Sequence, residues 1–362
     1  MIIKLIAILM TLAAAGSLAD TVTTTSGVTI HTIQERYTTA LEPKTNLDSV
    51  AMSPATKDGV AMLFATAKST NVVKVYDAST GEELSEIGLA GDSSESFLRP
   101  NGVSVADDLL LVVERDNRRV SVRAIPGFAQ LASFGEDILR KPYGLWVQSL
   151  GVDRYRLFVT DNYEGPNDTV PPNDELGERV KQWLLTVKRD ANGNPTAVEN
   201  HYEKSFGDTS GLGLLRVVES IFGDPLYDRL LIAEEDESPA TGLVIKAYDL
   251  AGRYADSQMG AGIFSAQAEG IALYACEDGS GYWLATDQAK DRSVFHLFDR
   301  QTLQHVGAFR GEVTSNTDGT WLSKGGIAGF DDGVFFAVHD DQAVSAFAWS
   351  DIASALDLQG CN

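Results

Sequence analysis

The sequence predicts an all-β chain folded as a six-bladed β-propeller, and three observations carry that prediction. One pattern, an apolar strand followed by a polar turn and an alternating strand, occurs six times. A shorter apolar segment precedes each copy, and the copies recur on average roughly 50 to 60 residues apart, the size of one propeller blade. The long helical periods that alternating βα units need are missing from the sequence.

In chain order the copies are MLFATAKSTNVVKVYD from Met62, LLLVVERDNRRVSVRAI from Leu109, RLFVTDNYEG from Arg156 with RVKQWLL after it, RLLIAEEDESPATGLVIKAYDL from Arg229, GYWLATDQAKDRSVFHLFDR from Gly281 and GVFFAVHDDQAVSAFAW from Gly333. The leading segments are LDSVAMSP, PNGVSVADD, PYGLWVQSL, VESIFGDP, EGIALYAC and GGIAGFDD, each expected to be the inner strand of its blade. SGVTIHTIQERY, from Ser26, is expected to complete the last blade and close the ring, because an open ring leaves an edge strand exposed.

The opening MIIKLIAILMTLAAAGSLAD has one lysine, a short apolar run and the small-residue pattern Ser17-Leu18-Ala19. It predicts a signal peptide over residues 1–19, cleaved after Ala19, and a secreted or periplasmic propeller domain over residues 20–362. No later segment is apolar enough to span a membrane. With 51 acidic against 29 basic residues the net charge is −22, which excludes nucleic acid and anionic membranes as partners and suits divalent cations. A monomer is expected. Cys276 and Cys361 can form one disulfide or stay free, and there is neither a zinc ligand set nor a redox CxxC.

In a propeller the starts of the inner strands converge on one channel mouth. The residues expected there are Asp48, Asn101, Tyr143, Glu219, Glu269 and Gly325. The turns after the second strands are expected to add a ring of Lys68, Glu114 with Arg115, Asp161, Glu234 with Glu235, Asp287, and His339 with Asp340. Oxygen ligands in such number at one flexible site are what Ca²⁺ prefers, whereas Mg²⁺ demands a strict octahedron. The run Glu234-Glu235-Asp236-Glu237 in IAEEDE then has a reason to exist, with bound calcium relieving its self-repulsion; otherwise it is a solvated turn. His339 is expected to stack in its turn. Serine-nucleophile chemistry is not indicated, since GxSxG is absent and none of the five histidines adjoins a nucleophile elbow.

AEGIALYACEDGSGYWLATDQ, VVESIFGDPLYDRLLIAEEDE, KPYGLWV and NTDGT together resemble the β-propeller phytases, over roughly residues 40 to 350. Those proteins are secreted calcium-dependent phosphatases that remove phosphate from myo-inositol hexakisphosphate. The resemblance implies several calcium ions, a phytate-like phosphate ester as substrate, and attack by metal-activated water. Residue by residue it implies calcium-binding and catalytic roles for Glu219, Glu235 and Glu269, an active-site and metal role for Asp318, and metal ligation by Tyr143 and Asp48. Lys68 and Arg115 match cations that hold substrate phosphates. The pattern departs from the family's at NLDSVAMSP, where only Asp48 is acidic, at Gly325, where a further aspartate is expected, and at VTDNY, which lacks a lysine. Two other functions fit a six-bladed ring: a calcium-dependent lactonase or esterase, suggested by RPNGVSV, and a non-catalytic calcium-stabilised binding propeller.

Overall fold

A computed structural model of the protein describes residues 21–361 apart from 24–26, 56–58, 90, 94, 239–241 and 326. The expected signal peptide, residues 1–19, lies outside the described residues. No helix among the described residues is long and apolar enough to cross a membrane.

Six antiparallel sheets are arranged as blades. Their inner strands are Leu47–Ser53, Pro100–Ala106, Pro142–Ser149, Val218–Asp224, Gln267–Ala275 and Thr320–Ser323. Each packs against the next, and the sixth packs back on the first, so the ring is closed. The second strands are mostly buried, Met62–Ala67 and Leu109–Glu114 along their whole length. That is why they read as continuous apolar runs. Alternate residues serve opposite neighbours: Leu63, Ala65 and Ala67 join a core shared with the sixth blade, whereas Met62 and Phe64 join one shared with the second. Every blade interface has such a core.

Two expectations are corrected. GGIAGFDD is not the sixth inner strand. Residues 327–330 form an isolated bridge, and Gly329 and Gly333 take left-handed φ values of +84° and +116° that favour a turn over a strand. Nor does the segment from Ser26 complete the last blade as a unit. Thr29–Ile33 instead adds in parallel to His305–Gly311 at the rim of the fifth blade, and only Tyr37–Thr38 pairs with Ala343–Ala348 in the sixth. Glu35 fixes the crossing between them, accepting hydrogen bonds from the backbone of Glu312, Val313 and Thr314 and from the Thr314 hydroxyl. Cys276 and Cys361 are joined, with Cα atoms 5.3 Å apart, which ties the end of the chain to the fifth blade.

Candidate functional site

The channel mouth is built by a repeated irregularity. In the first five inner strands the pairing slips at one place, between Leu47 and Val50, Pro100 and Val103, Pro142 and Leu145, Val218 and Ile221, and Glu269 and Ile271. A bulge re-aims the side chain it carries. The residues at these slips include Asp48, Asn101, Tyr143, Glu219 and Glu269, five of the six expected ring positions. The sixth position belongs to Asp318 and not to Gly325: the Gly319 amide donates to the Asp48 carbonyl and the Gly270 amide to the Asp318 carbonyl, linking the sixth blade to both neighbours. Gly325 lies beyond the end of the inner strand, so it is not a ring position, and the further aspartate expected there has no counterpart at that place.

Where a glycine follows the ring residue, the neighbouring backbone approaches closely. A Cβ at Gly144 would lie 2.1 Å from the Glu219 carbonyl oxygen, and one at Gly319 would lie 2.5 Å from that of Asp48. Backbone cannot yield as a flexible side chain can. Gly144→Ala is therefore expected to cost about 1–3 kcal/mol, the usual cost of overpacking; a denaturant titration with an unchanged midpoint would show that the ring can expand.

The ends of the second strands hold the ring from behind. Glu234 accepts from the backbone amides of Arg216 and Val217 and pairs with buried Lys246 at 3.1 Å. Glu114 accepts from the Leu98 amide and pairs with Arg119, Asp161 accepts from the amides of Arg140 and Lys141, and Asp287 accepts from those of Ser265 and Ala266. Each carboxylate grips the chain just before an inner strand begins. The expectation that Glu114, Asp161, Glu234 and Asp287 form a second ring of channel ligands is thus corrected, because strand-end side chains alternate in direction and these point sideways into the blade.

The next residue along the chain is the one that turns toward the ring. Glu235 joins Glu219 and Glu269, and one oxygen from each lies within 4.8 Å of the others. Asn162 contacts Glu219 at 3.5 Å, and the Gln288 amide donates to Asp318 at 2.6 Å. Ser220 donates its amide to Glu235 and its hydroxyl to Glu269. Asp341 also bonds to Asp318. Asn162, Gln288, Ser220 and Asp341 were not expected from the sequence. The dipeptides Asp161-Asn162, Glu234-Glu235 and Asp287-Gln288 carry the signal that locates two of them, a buried acid followed by a ring residue; Glu114-Arg115 departs from it at its second member. Asp236 is bound to Arg216 at 2.7 Å, so IAEEDE is partitioned among different tasks.

Crowding governs the electrostatics. Burial and then the charge of Asp48 push the Glu219 carboxyl up to about 8. Glu235 and Glu269 are also held well above the usual carboxylate range, by burial first and then by the charge of Glu219. Asp318 is raised by burial and by Asp48. Burial and the Glu219 charge keep Tyr143 a neutral phenol. For Lys68, burial alone would lower the pKa, but Asp48, Tyr143 and Asp318 outweigh it and hold the ammonium charged.

The cavity within the mouth measures ≈ 70 Å³ and is floored by apolar side chains such as Val50, Val103, Leu145 and Ile221. It has room for a few waters. Lys68 reaches Asp48 at 2.6 Å. Arg115 does not line this cavity; it binds Asp116 and borders a separate cleft with Arg118, Arg140, Lys141 and Tyr163. His339 accepts from the Ser315 amide through Nδ1, and Asp340 accepts from Gln342.

Residues 211–345, which span the fourth and fifth blades and most of the sixth, match the family model described as Phytase. No curated protein matches the chain. Among solved structures, the hydrazine synthase of Kuenenia stuttgartiensis is similar at 13% identity, covering 86% of this chain and 98% of that one with a TM-score of 0.48. A nidogen/laminin complex gives 12% identity, coverage of 76% and 84%, and a TM-score of 0.49. The Cps50 (Swd1) β-propeller domain of Myceliophteria thermophila gives 10% identity, coverage of 86% and 99%, and a TM-score of 0.47. With the family match over residues 211–345 carried on a ring of six blades, the resemblance to the β-propeller phytases holds.

Proposed function

We propose that this protein is an exported, calcium-dependent phosphomonoesterase of the phytase type, acting on a phytate-like ester. The observation that carries this reading is the convergence of Glu219, Glu235 and Glu269 within 4.8 Å at the channel mouth. Three carboxylates so close are unstable as a set of bare anions, and hard oxygen donors at a flexible site suit calcium. A second observation supports a ligand here. The side chain of Asn101, at the ring position of the second blade, is fully buried with neither its oxygen nor its nitrogen hydrogen-bonded among the described residues. Such a group in a folded protein calls for a partner.

The three glutamates would hold the ion, with Tyr143 beside Glu219. A divalent cation there supplies the positive charge that draws in a phosphoryl group and makes water a better nucleophile. Tyr143, kept neutral, donates to an oxygen anion. Asp318 is steadied by Gln288 and Asp341 and, with its proton retained by burial, can deliver it to the leaving alkoxide. Arg115 is the residue assigned to a substrate phosphate: its ion pair with Asp116 is open to solvent, the two side chains being 22% and 41% exposed, so the pair is weak and a phosphate can compete for the guanidinium by a bidentate fork. Lys68 is left out of that role, its ammonium being committed to Asp48.

The test is phosphate release from phytate by the purified protein in calcium and in excess EGTA, from pH 5 to 9. Release that requires calcium and falls by roughly ten- to 150-fold in Arg115→Ala is the expected result, on the basis that a charge-assisted contact contributes about 1.5–3 kcal/mol. No release at any pH, with calcium still raising the melting temperature, would make the ring a binding propeller. Lactone turnover indifferent to Arg115 would make it a lactonase.

A further inference from the structure

The mouth is divided into two halves of different character. On one side stand Glu219, Glu235 and Glu269, whose hydrogen-bonding neighbours include the neutral groups of Ser220, Asn162 and Tyr143, with the charges of Asp48 and Lys68 reaching Glu219 from across the mouth. On the other side Asp48 of the first blade and Asp318 of the sixth are neighbours around the ring, and Lys68 is seated on Asp48. Its Nζ lies 2.6 Å from Asp48 Oδ1, with the lysine side chain 10% exposed and the aspartate 4%. The lysine is positioned by main chain on both flanks: its own amide donates to the Asn46 carbonyl, and the Ser69 amide to the Thr45 carbonyl. The second oxygen of Asp48 accepts from Ser49 at 3.3 Å.

The separation decides what else can bind. Calcium sits about 2.3–2.6 Å from a carboxylate oxygen. An ammonium at 2.6 Å from Oδ1 therefore occupies the ligating position on that oxygen, and an ion placed beside it would meet a like charge in a buried setting. We infer that Lys68 is a built-in counter-ion that takes the place of a second divalent cation at the Asp48–Asp318 half of the mouth, so that the ring holds one ion, on the glutamate side. The inference rests on the metal reading of the three glutamates and deepens it by setting the ion count. Asp48 then keeps the lysine in position and is not itself a ligand.

The experiment is calcium titration of the full chain by calorimetry, with the ion count taken as the difference between variants so that weak surface ions cancel. Lys68→Met keeps the length of the side chain while removing its charge. Expected are one ion in the parent that Glu269→Gln abolishes, one additional ion in Lys68→Met, and loss of that additional ion when Asp48→Asn is combined with it. Asp48→Asn alone should leave the count at one. Should Lys68→Met fail to fold, the Asp48→Asn single variant still decides: loss of a parent ion there overturns the inference. An unchanged count in folded Lys68→Met also overturns it, while leaving the glutamate site intact. A parent that binds no calcium in the ring removes both this inference and the metal reading beneath it.

Discussion

Glu234→Ala is expected to destabilise the protein by about 3–5 kcal/mol, whereas Glu235→Gln, one residue further on, is expected to leave the calcium-free protein at least as stable as the parent. The first change strips the partner from Lys246, a buried ammonium, and leaves the amides of Arg216 and Val217 without their acceptor. Breaking one side of a buried ion pair costs that much because the remaining charge stays desolvated. The second change removes a carboxylate that Glu219 and Glu269 already repel, so its loss relieves the metal-free ring. In calcium the order of consequences changes. The parent should gain about 2.7–4.1 kcal/mol when the free ion exceeds its dissociation constant by 100- to 1,000-fold, and Glu235→Gln should forfeit most of that gain. Thermal melts of both variants, in EGTA and in calcium, decide the matter; equal losses in EGTA would mean that the two adjacent glutamates share one structural task.

The blades were legible because burial on both faces writes itself into sequence. MLFATA and LLLVVE serve two interfaces at once and have no polar face to hide. The sixth inner strand was not legible. Thr320–Ser323 is four residues long and only partly buried, too short to show a period, while GGIAGFDD imitates a strand by composition alone. The mouth was half legible for a related reason. Glu219 and Glu269 precede a small residue, a pattern shared by Asn101-Gly102, Tyr143-Gly144 and Asp318-Gly319, and this pattern would have placed Asp318 in the ring without reference to Gly325. Glu234 and Glu235 could not be separated by charge. Their tasks differ because successive strand residues point to opposite faces. Asn162 and Gln288 escaped because neutral amides leave no mark on a count of charges, although they stand where Glu235 does in their own blades.

In EGTA the melting temperature should fall as pH rises from about 5 to 8, and saturating calcium should abolish the fall. The sign follows from the raised carboxyls. In the unfolded chain a glutamate ionises near its ordinary value, roughly 4.3. In the folded ring Glu219 is pushed up to about 8, and Glu235 and Glu269 are held well above the ordinary range. Between those limits the native state keeps protons that the unfolded state has released, so the stability that protonation lends is full at low pH and is lost as pH rises. Each retained proton contributes a slope of about 1.4 kcal/mol per pH unit, which is a few degrees of melting temperature in a chain of this size. A bound divalent cation takes the place of those protons, so calcium affinity should rise across the same window. General repulsion in a chain of net charge −22 also acts at high pH, but it is spread over the surface and does not depend on any one glutamate. Glu269→Gln separates the two causes: it should flatten the profile in EGTA if the ring is responsible, and leave it unchanged if diffuse repulsion is. A parent profile in EGTA that is level, or that rises between pH 5 and 8, would mean that these carboxylates are ionised in the native state without a metal, and the argument for a cation at the mouth would lose its electrostatic basis.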